Sequence, residues 1–357
     1  MKLIHCSDLH LDSPMETHLS EAQARERNRE ILATFSRMVS YAQEQDVQAV
    51  LIAGDLFDSG RTRSSTVSYV LDIIAQAKDI DFLYLRGNHD EDGGLNGGAA
   101  LPENLKCFSD SWTTYRYGSL AITGAELTGE NHTSIYDSLS LDPADTNIVV
   151  LHGQESTQPG PDLVCLPRLR DRHIHYLALG HLHSYREDAL DRSGTYCYSG
   201  CLEGRGFDEC GEKGFVLLEV EGKRIRRSFV PFGKRQLHSI PVDITGQETI
   251  PQLSAAIRAA TAHIPREDLV KIILTGTYTT QTHKDLDFLR QALEHCFYFL
   301  RIKDESTLYL EPAGYEHDIS LKGEFIRTVM ASHLTEEEKE QIICAGLLAL
   351  RGEEIRI

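Results

Sequence analysis

The sequence predicts an α/β fold, two packed sheets flanked by helices, with a small C-terminal α/β domain. Three observations predict it. Short apolar runs that end in polar clusters, KLIHCSDLH, AVLIAGDLFD and FLYLRGNHD, read as buried parallel strands. Residues from about 20 to 45 and from about 62 to 78 carry helical spacing between them, giving β-α-β-α-β with crossover helices. Beyond VPFGKRQLHSIPVD the strand-helix pattern starts again.

Each later element follows in order. After the glycine-rich loop GGLNGGAA come SLAITGAEL, NIVVLHGQ, HYLALGHLH, TYCYSG and GFVLLEVEG, strand candidates for a second sheet packed on the first. Two prolines and a glycine between residues 230 and 243 mark the domain boundary, giving a first domain over 1–235. LHSIPVDI, a helix near 249 to 263, LVKIILTGTY, a helix near 283 to 297 and STLYLEP make a capping α/β domain over 236–316. The tail, 317–357, reads as two amphipathic helices, with Thr335 capping the second. They either pack on their own domain or await a partner.

Composition sets outer bounds. A chain of 357 residues with 41% hydrophobic and 25% charged residues is ordinary folded material. His5, Asp8 and His10 interrupt the apolar stretch a signal peptide needs, and no run approaches a membrane span, so a soluble, cytoplasmic protein without a membrane partner is expected. The eight cysteines show no CxxC, which suits a reducing compartment; Cys197, Cys201 and Cys210 lack an evident fourth zinc ligand and read as free thiols. A formal charge of -18 counts against simple electrostatic capture of nucleic acid. Bound divalent metals or clustered arginines can reverse that locally. Of the basic clusters, Arg61 and Arg63 are the substrate-binding candidates, against the default of a solvated mixed-charge surface.

The polar clusters fall at strand carboxyl ends, where open α/β sheets collect ligands. Asp8-Leu9-His10 puts a carboxylate and an imidazole on one side of an extended segment, and His181-Leu182-His183 does so with two imidazoles. Asp55 can bridge two ions, while Asn88 adds an amide oxygen and His152 a further imidazole. This oxygen and nitrogen set suffices for two octahedral divalent ions, and the lack of thiolate favours Mn2+, with Fe2+ or Mg2+ as alternatives, over structural zinc. A lone Asp-x-His is ordinary. DLH, GDLFD, GNHD, HG and GHLH in that order, each after an apolar strand candidate, are not.

These motifs resemble those of the calcineurin-like metallophosphoesterases, D-x-H, G-D-x-x-D, G-N-H-[DE], H and G-H-x-H, over roughly residues 1 to 205. The resemblance implies a four-layer metallophosphoesterase sandwich. It implies one metal held by Asp8, His10, Asp55 and His183, and another by Asp55, Asn88, His152 and His181. His89 would be the catalytic histidine outside the ligand set, oriented by Asp58, whose alternative is a turn or helix cap. A metal-bridged hydroxide would attack phosphorus while His89 acts near the leaving oxygen. Asp12 is read as a turn or supporting residue.

HCSDLHLDSP, GDLFDSG and Tyr198-Ser199-Gly200-Cys201-Leu202-Glu203 look most like the SbcD-type DNA repair nucleases. That branch implies a manganese-dependent DNA exonuclease or endonuclease, a homodimer and an SbcC-like coiled-coil ATPase partner. A phosphatase or phosphodiesterase acting on nucleotides or other small phosphoesters is the second reading, and a catalytically silent binding scaffold the third.

Overall fold

The three opening apolar runs become parallel strands β1 (Lys2–Cys6), β2 (Ala49–Ala53) and β3 (Asp81–Leu85). Both faces of these strands are covered, which is why they read as continuous apolar runs. Helices α1 (Glu21–Glu44) and α2 (Ser64–Gln76) make the crossovers. Ser20 and Gln23 form a capping box that starts α1, and its Ile31, Phe35, Met38 and Ala42 pack on Ile4, Val50, Ile52 and Phe82 of the sheet. The computed structural model describes residues 1–350 apart from 16–18, 59–61, 91–94, 96–100, 280–281, 310–314 and 316. It divides into two units, Met1–His238 and Ser239–Ile357.

In the first unit, β4 (Leu105–Cys107) extends the sheet beyond β3, and β13 (Gly214–Glu221) and β14 (Arg224–Pro231) extend it beyond β1 in the order β14-β13-β1-β2-β3-β4. This corrects one expectation. GFVLLEVEG is β13, which pairs antiparallel with β1 (Lys2↔Glu219, His5↔Val216) instead of joining the second sheet. Its alternation sends Phe215 toward the helices and Val216, Leu218 and Val220 toward the other sheet. Period two specifies which faces are buried, not which strand lies alongside.

The second sheet comprises β5 (Thr113–Tyr117), β6 (Leu120–Gly124), β7 (Thr146–His152), β10 (Tyr176–Gly180), β11 (Arg186–Ala189) and β12 (Thr195–Tyr198), ordered β11-β12-β10-β7-β6-β5. Leu3, Leu51 and Leu83 meet Ile122, Ile148 and Ala178 between the sheets. The outer face of the second sheet is covered by a 3-10 turn, Ile135–Ser138, the short pair β8 (Gln154–Ser156) and β9 (Leu163–Cys165), and the single-turn helix α3 (Leu166–Leu169). The layers are those of the expected sandwich, with short turns where long helices would complete the fourth.

The second unit builds a three-stranded sheet from β15 (Leu237–Asp243), which straddles the division, β16 (Leu269–Thr275) and β18 (Phe299–Asp304), with helices α4 (Ile250–Ala260) and α5 (Leu286–Leu293) and a small pair, β17 (Thr277–Tyr278) and β19 (Thr307–Leu308). The tail helices α6 (Leu321–Met330) and α7 (Glu336–Leu350) add Ile326, Val329, Ile343 and Leu347 to the core formed with Leu253, Ile272 and Leu289. Thr335 accepts from Glu338 N–H at 3.3 Å at the start of α7. Among the described residues, no helix is long and apolar enough to cross a membrane, and the cysteines form no disulfide.

Candidate active site

The polar clusters gather at or just beyond the carboxyl ends of β1, β2, β3, β7 and β10. Sequence spacing puts Asp8 and His10 together on an extended segment, but β1 ends at Cys6 and both residues adopt positive φ, 52° and 42°. Asp12, Asp55 and His181 do the same at 70°, 54° and 102°. Asp and His tolerate this region better than most residues, yet each such conformation costs on the order of 1 kcal/mol or more. Neighbouring loops hold them there. Asp8, His10 and Leu11 donate their N–H groups to the carbonyls of Gly54, Asp55 and Leu56 at 3.0, 2.9 and 2.9 Å. Asp90, the last residue of GNHD, accepts from the N–H groups of Gly87, Leu56 and Phe57, clamping the β2 and β3 loops together.

Two glycines permit this density. A Cβ at Gly54, where φ is +94°, would lie 2.0 Å from His152 Nδ1, and one at Gly180 would lie 1.9 Å from the Ala53 carbonyl.

Ligand-type atoms converge in three groups, each within 4.8 Å: Asp8 with His10 and His183, Asp8 with Asp55 and His152, and His10 with Asp58 and His89. Asn88 Oδ1 lies 3.0 Å from His152 Nε2, and the His181 ring lies 5.5 Å from that of His152. His89 is half exposed at the rim; its Nδ1 is 3.0 Å from Asp58 Oδ1 and its ring 4.9 Å from that of His10. Arg63 forms a pair with Asp12, donating Nε at 3.0 Å, while its side chain stays largely exposed. Arg61 lies outside the described residues.

The electrostatics follow from crowding. Burial pushes the Asp8 carboxyl up, helped by Asp55. Burial acts the same way on Asp55, but the hydrogen bond and charge of His152, with His10, hold it well below the usual range. Burial also opposes charge on His152, yet Asp55 and Asp8 raise it to about 9. Burial, then the Arg205 charge, lowers His10 to about 3, leaving it neutral and able to donate a lone pair.

The arrangement suits cations. His152 Nδ1 lies 2.9 Å from the Ala53 carbonyl and donates its proton there; Nε2, protonated near neutral pH, faces Asn88 Oδ1 at 3.0 Å and Asp55 Oδ2 at 3.4 Å, where a divalent cation would take the place of that proton. His183 Nδ1 donates to Glu209 at 2.7 Å, which turns its Nε2 lone pair toward His10 Nε2 at 3.3 Å. His10 Nδ1 is buried without a hydrogen-bond partner among the described residues. Imidazole nitrogens and carboxylate oxygens crowded this closely are a donor set that divalent ions satisfy. The donor set therefore fits divalent metal.

A family model, calcineurin-like phosphoesterase, matches residues 1–185. The chain belongs to that family. It is 27% identical to the uncharacterised metallophosphoesterase YhaO of Bacillus subtilis, over 78% of this chain and 72% of YhaO. It is 23% identical to the DNA double-strand break repair protein Mre11 of Methanosarcina acetivorans, over 77% of this chain and 46% of that one. Among solved structures, TT1561 of Thermus thermophilus is similar over 64% of this chain and 98% of its own, at 12% identity and a TM-score of 0.40. The protein is a metallophosphoesterase, a hydrolase whose site is built for divalent metal.

Several contributors are invisible in the motif pattern. Ser7 donates to Asp8 Oδ2 at 2.5 Å and contacts Ser199 Oγ at 2.8 Å. Tyr198 OH bridges Gly153 O and Glu155 N–H, bracing the turn after His152. Glu209 and Arg205 stand behind His183. The Tyr198-Ser199-Gly200 segment is singled out by resemblance alone. Nothing in the sequence marks Glu209, 26 residues beyond its histidine.

Proposed function

We propose that this metallophosphoesterase is a two-metal DNA nuclease of the double-strand-break repair type. The observation that carries the chemistry is a half-exposed His89–Asp58 pair at the rim of a buried cluster of nitrogen and oxygen donors. Asp8, His10, Asp55 and His183 would hold one ion, and Asp55, Asn88, His152 and His181 the other, with Mn2+ the favoured metal. Such ions supply Lewis-acid charge that acidifies water and neutralises phosphate oxygens.

The chain's own residues do the rest. Burial opposes the charge of Asp58, but hydrogen bonds from Ser13 and His89 and the nearby His10 hold its carboxyl below the usual range, so it stays ionised. It takes the His89 Nδ1 proton as a hydrogen bond, which aims Nε2 outward to protonate the leaving oxygen.

DNA as substrate is supported by the Mre11 relatives and by a separate C-terminal α/β unit. The same reading includes a homodimer and an SbcC-like coiled-coil ATPase partner, and the exposed face of Arg63 as a phosphate contact. The acidic charge of -18 favours the second reading, a phosphoesterase of nucleotides or other small molecules. A panel of Mn2+, Fe2+ and Mg2+ against double-stranded DNA, single-stranded DNA, a cyclic nucleotide and a generic diester separates them. Mn2+-dependent DNA cleavage lost in Asp55→Ala is expected; cleavage confined to the small esters would replace the nuclease reading with the second.

A further inference from the structure

The segment after β12 folds back behind His183 and holds it at two points. The His183 carbonyl accepts from Lys213 Nζ at 2.7 Å and Cys201 N–H at 3.3 Å. Its ring donates Nδ1–H to Glu209 Oε1 at 2.7 Å. Glu209 is only 4% exposed, and Arg205 braces it with Nη2 to Oε1 at 2.7 Å and backbone N–H to Oε2 at 2.6 Å. Arg205 Nη1 also reaches Ser13 Oγ at 3.3 Å.

Among the histidines read as ligands, His152 is steered by the Ala53 carbonyl, and His10 Nδ1 has no hydrogen-bond partner among the described residues. His183 is steered by an ionised, immobilised side chain. A carboxylate on the far nitrogen of a ligating histidine fixes its tautomer, its plane and its basicity. We infer that Glu209, braced by Arg205, is a positioning residue that holds His183 Nε2 in the metal-binding tautomer. This rests on the reading of His183 as a ligand and adds a group that touches neither metal nor substrate.

Calorimetric titration of the full-length protein with Mn2+, and visible spectra with Co2+ in its place, test the inference. Glu209→Ala should weaken Mn2+ binding by about 10- to 100-fold and alter the Co2+ spectrum. Glu209→Gln, which keeps an acceptor oxygen but not the charge, should recover most of both. If the residue serves only as an ion-pair partner of Arg205, both variants will melt lower while Mn2+ affinity and the Co2+ spectrum stay at wild type, and the inference is overturned. Should Glu209→Ala fail to fold, Glu209→Asp, one methylene short of His183, is expected to show the same loss of affinity; wild-type affinity there also overturns it. Wild-type protein that takes up no Mn2+ refutes the metal-site reading itself, a result distinct from bound Mn2+ that is indifferent to residue 209.

Discussion

His89 and Asp55 separate two kinds of contribution at the level of the single residue. Asp55 is buried, bonded to the His89 N–H and close to both His10 and His152, so removing it takes charge from the centre of the cluster. His89 is half exposed, and its imidazole hydrogen-bonds Asp58. His89→Ala should therefore lower kcat by about 10²- to 10⁴-fold with Mn2+ affinity unchanged, and Asp58→Asn should follow in the same direction by less. Asp55→Ala should lose metal binding and activity together. Steady-state kinetics beside calorimetry read the difference, and loss of Mn2+ in His89→Ala would place His89 among the ligands. At this scale the sequence was informative because residue type and motif order carry the chemistry. Glu209, Arg205 and Ser7 were not legible, since an Asp8 or His183 is supported by whatever chain folding brings behind it.

Elements aim these residues, and their stability is set in places remote from the motifs. Gly180 ends β10 against β2, and Gly180→Ala would drive a Cβ into the Ala53 carbonyl; it should lower both the melting temperature and Mn2+ affinity. A variant with wild-type values would mean that the strand ends are not tightly packed. Helix α1 is tied down by a buried network in which Glu30 accepts from Arg27, Lys234 and Arg235, while Arg27 also reaches Glu203. Burial opposes the charge of Glu30, but hydrogen bonds from Arg235, Lys234 and Arg27 hold it down to about 2, against an ordinary 4.5. A lowered carboxyl stabilises the fold above its unfolded value and loses that contribution as pH falls toward the folded value. Glu30→Gln should thus cost about 3 kcal/mol at neutral pH. Its deficit relative to wild type should shrink as pH drops from 4.5 toward about 2, a trend that denaturant melts across that range will follow. A deficit independent of pH would mean the network is not ionic. Helices and strand candidates were legible because apolar periodicity encodes them, and α1 begins at its Ser20 cap. The neighbour of β13 was not, because the alternation of Phe215 and Val216 specifies two faces and says nothing of β1.

In the whole molecule, every candidate site residue lies in the unit Met1–His238, which has its own cores on both faces of each sheet. A fragment ending at residue 238 should fold and hydrolyse a simple diester with Mn2+ at a rate near that of the full chain, while losing most DNA cleavage if the C-terminal unit selects DNA. Equal DNA cleavage by both would remove that unit from substrate choice. The sequence restarts its strand-helix pattern after residue 235, and the contacts divide the chain after His238. That α6 and α7 feed the second unit's core was not, since an amphipathic face such as Ile326, Val329 and Ile343 fits a partner as well as its own domain. In the proposed site, Asp55 stands between two metal positions. Anomalous diffraction from crystals soaked in Mn2+ tests it most directly. Two peaks should flank Asp55, one beside Asp8, His10 and His183 and the other beside Asn88, His152 and His181; a single peak, or Mn2+ bound away from Asp55, would contradict it.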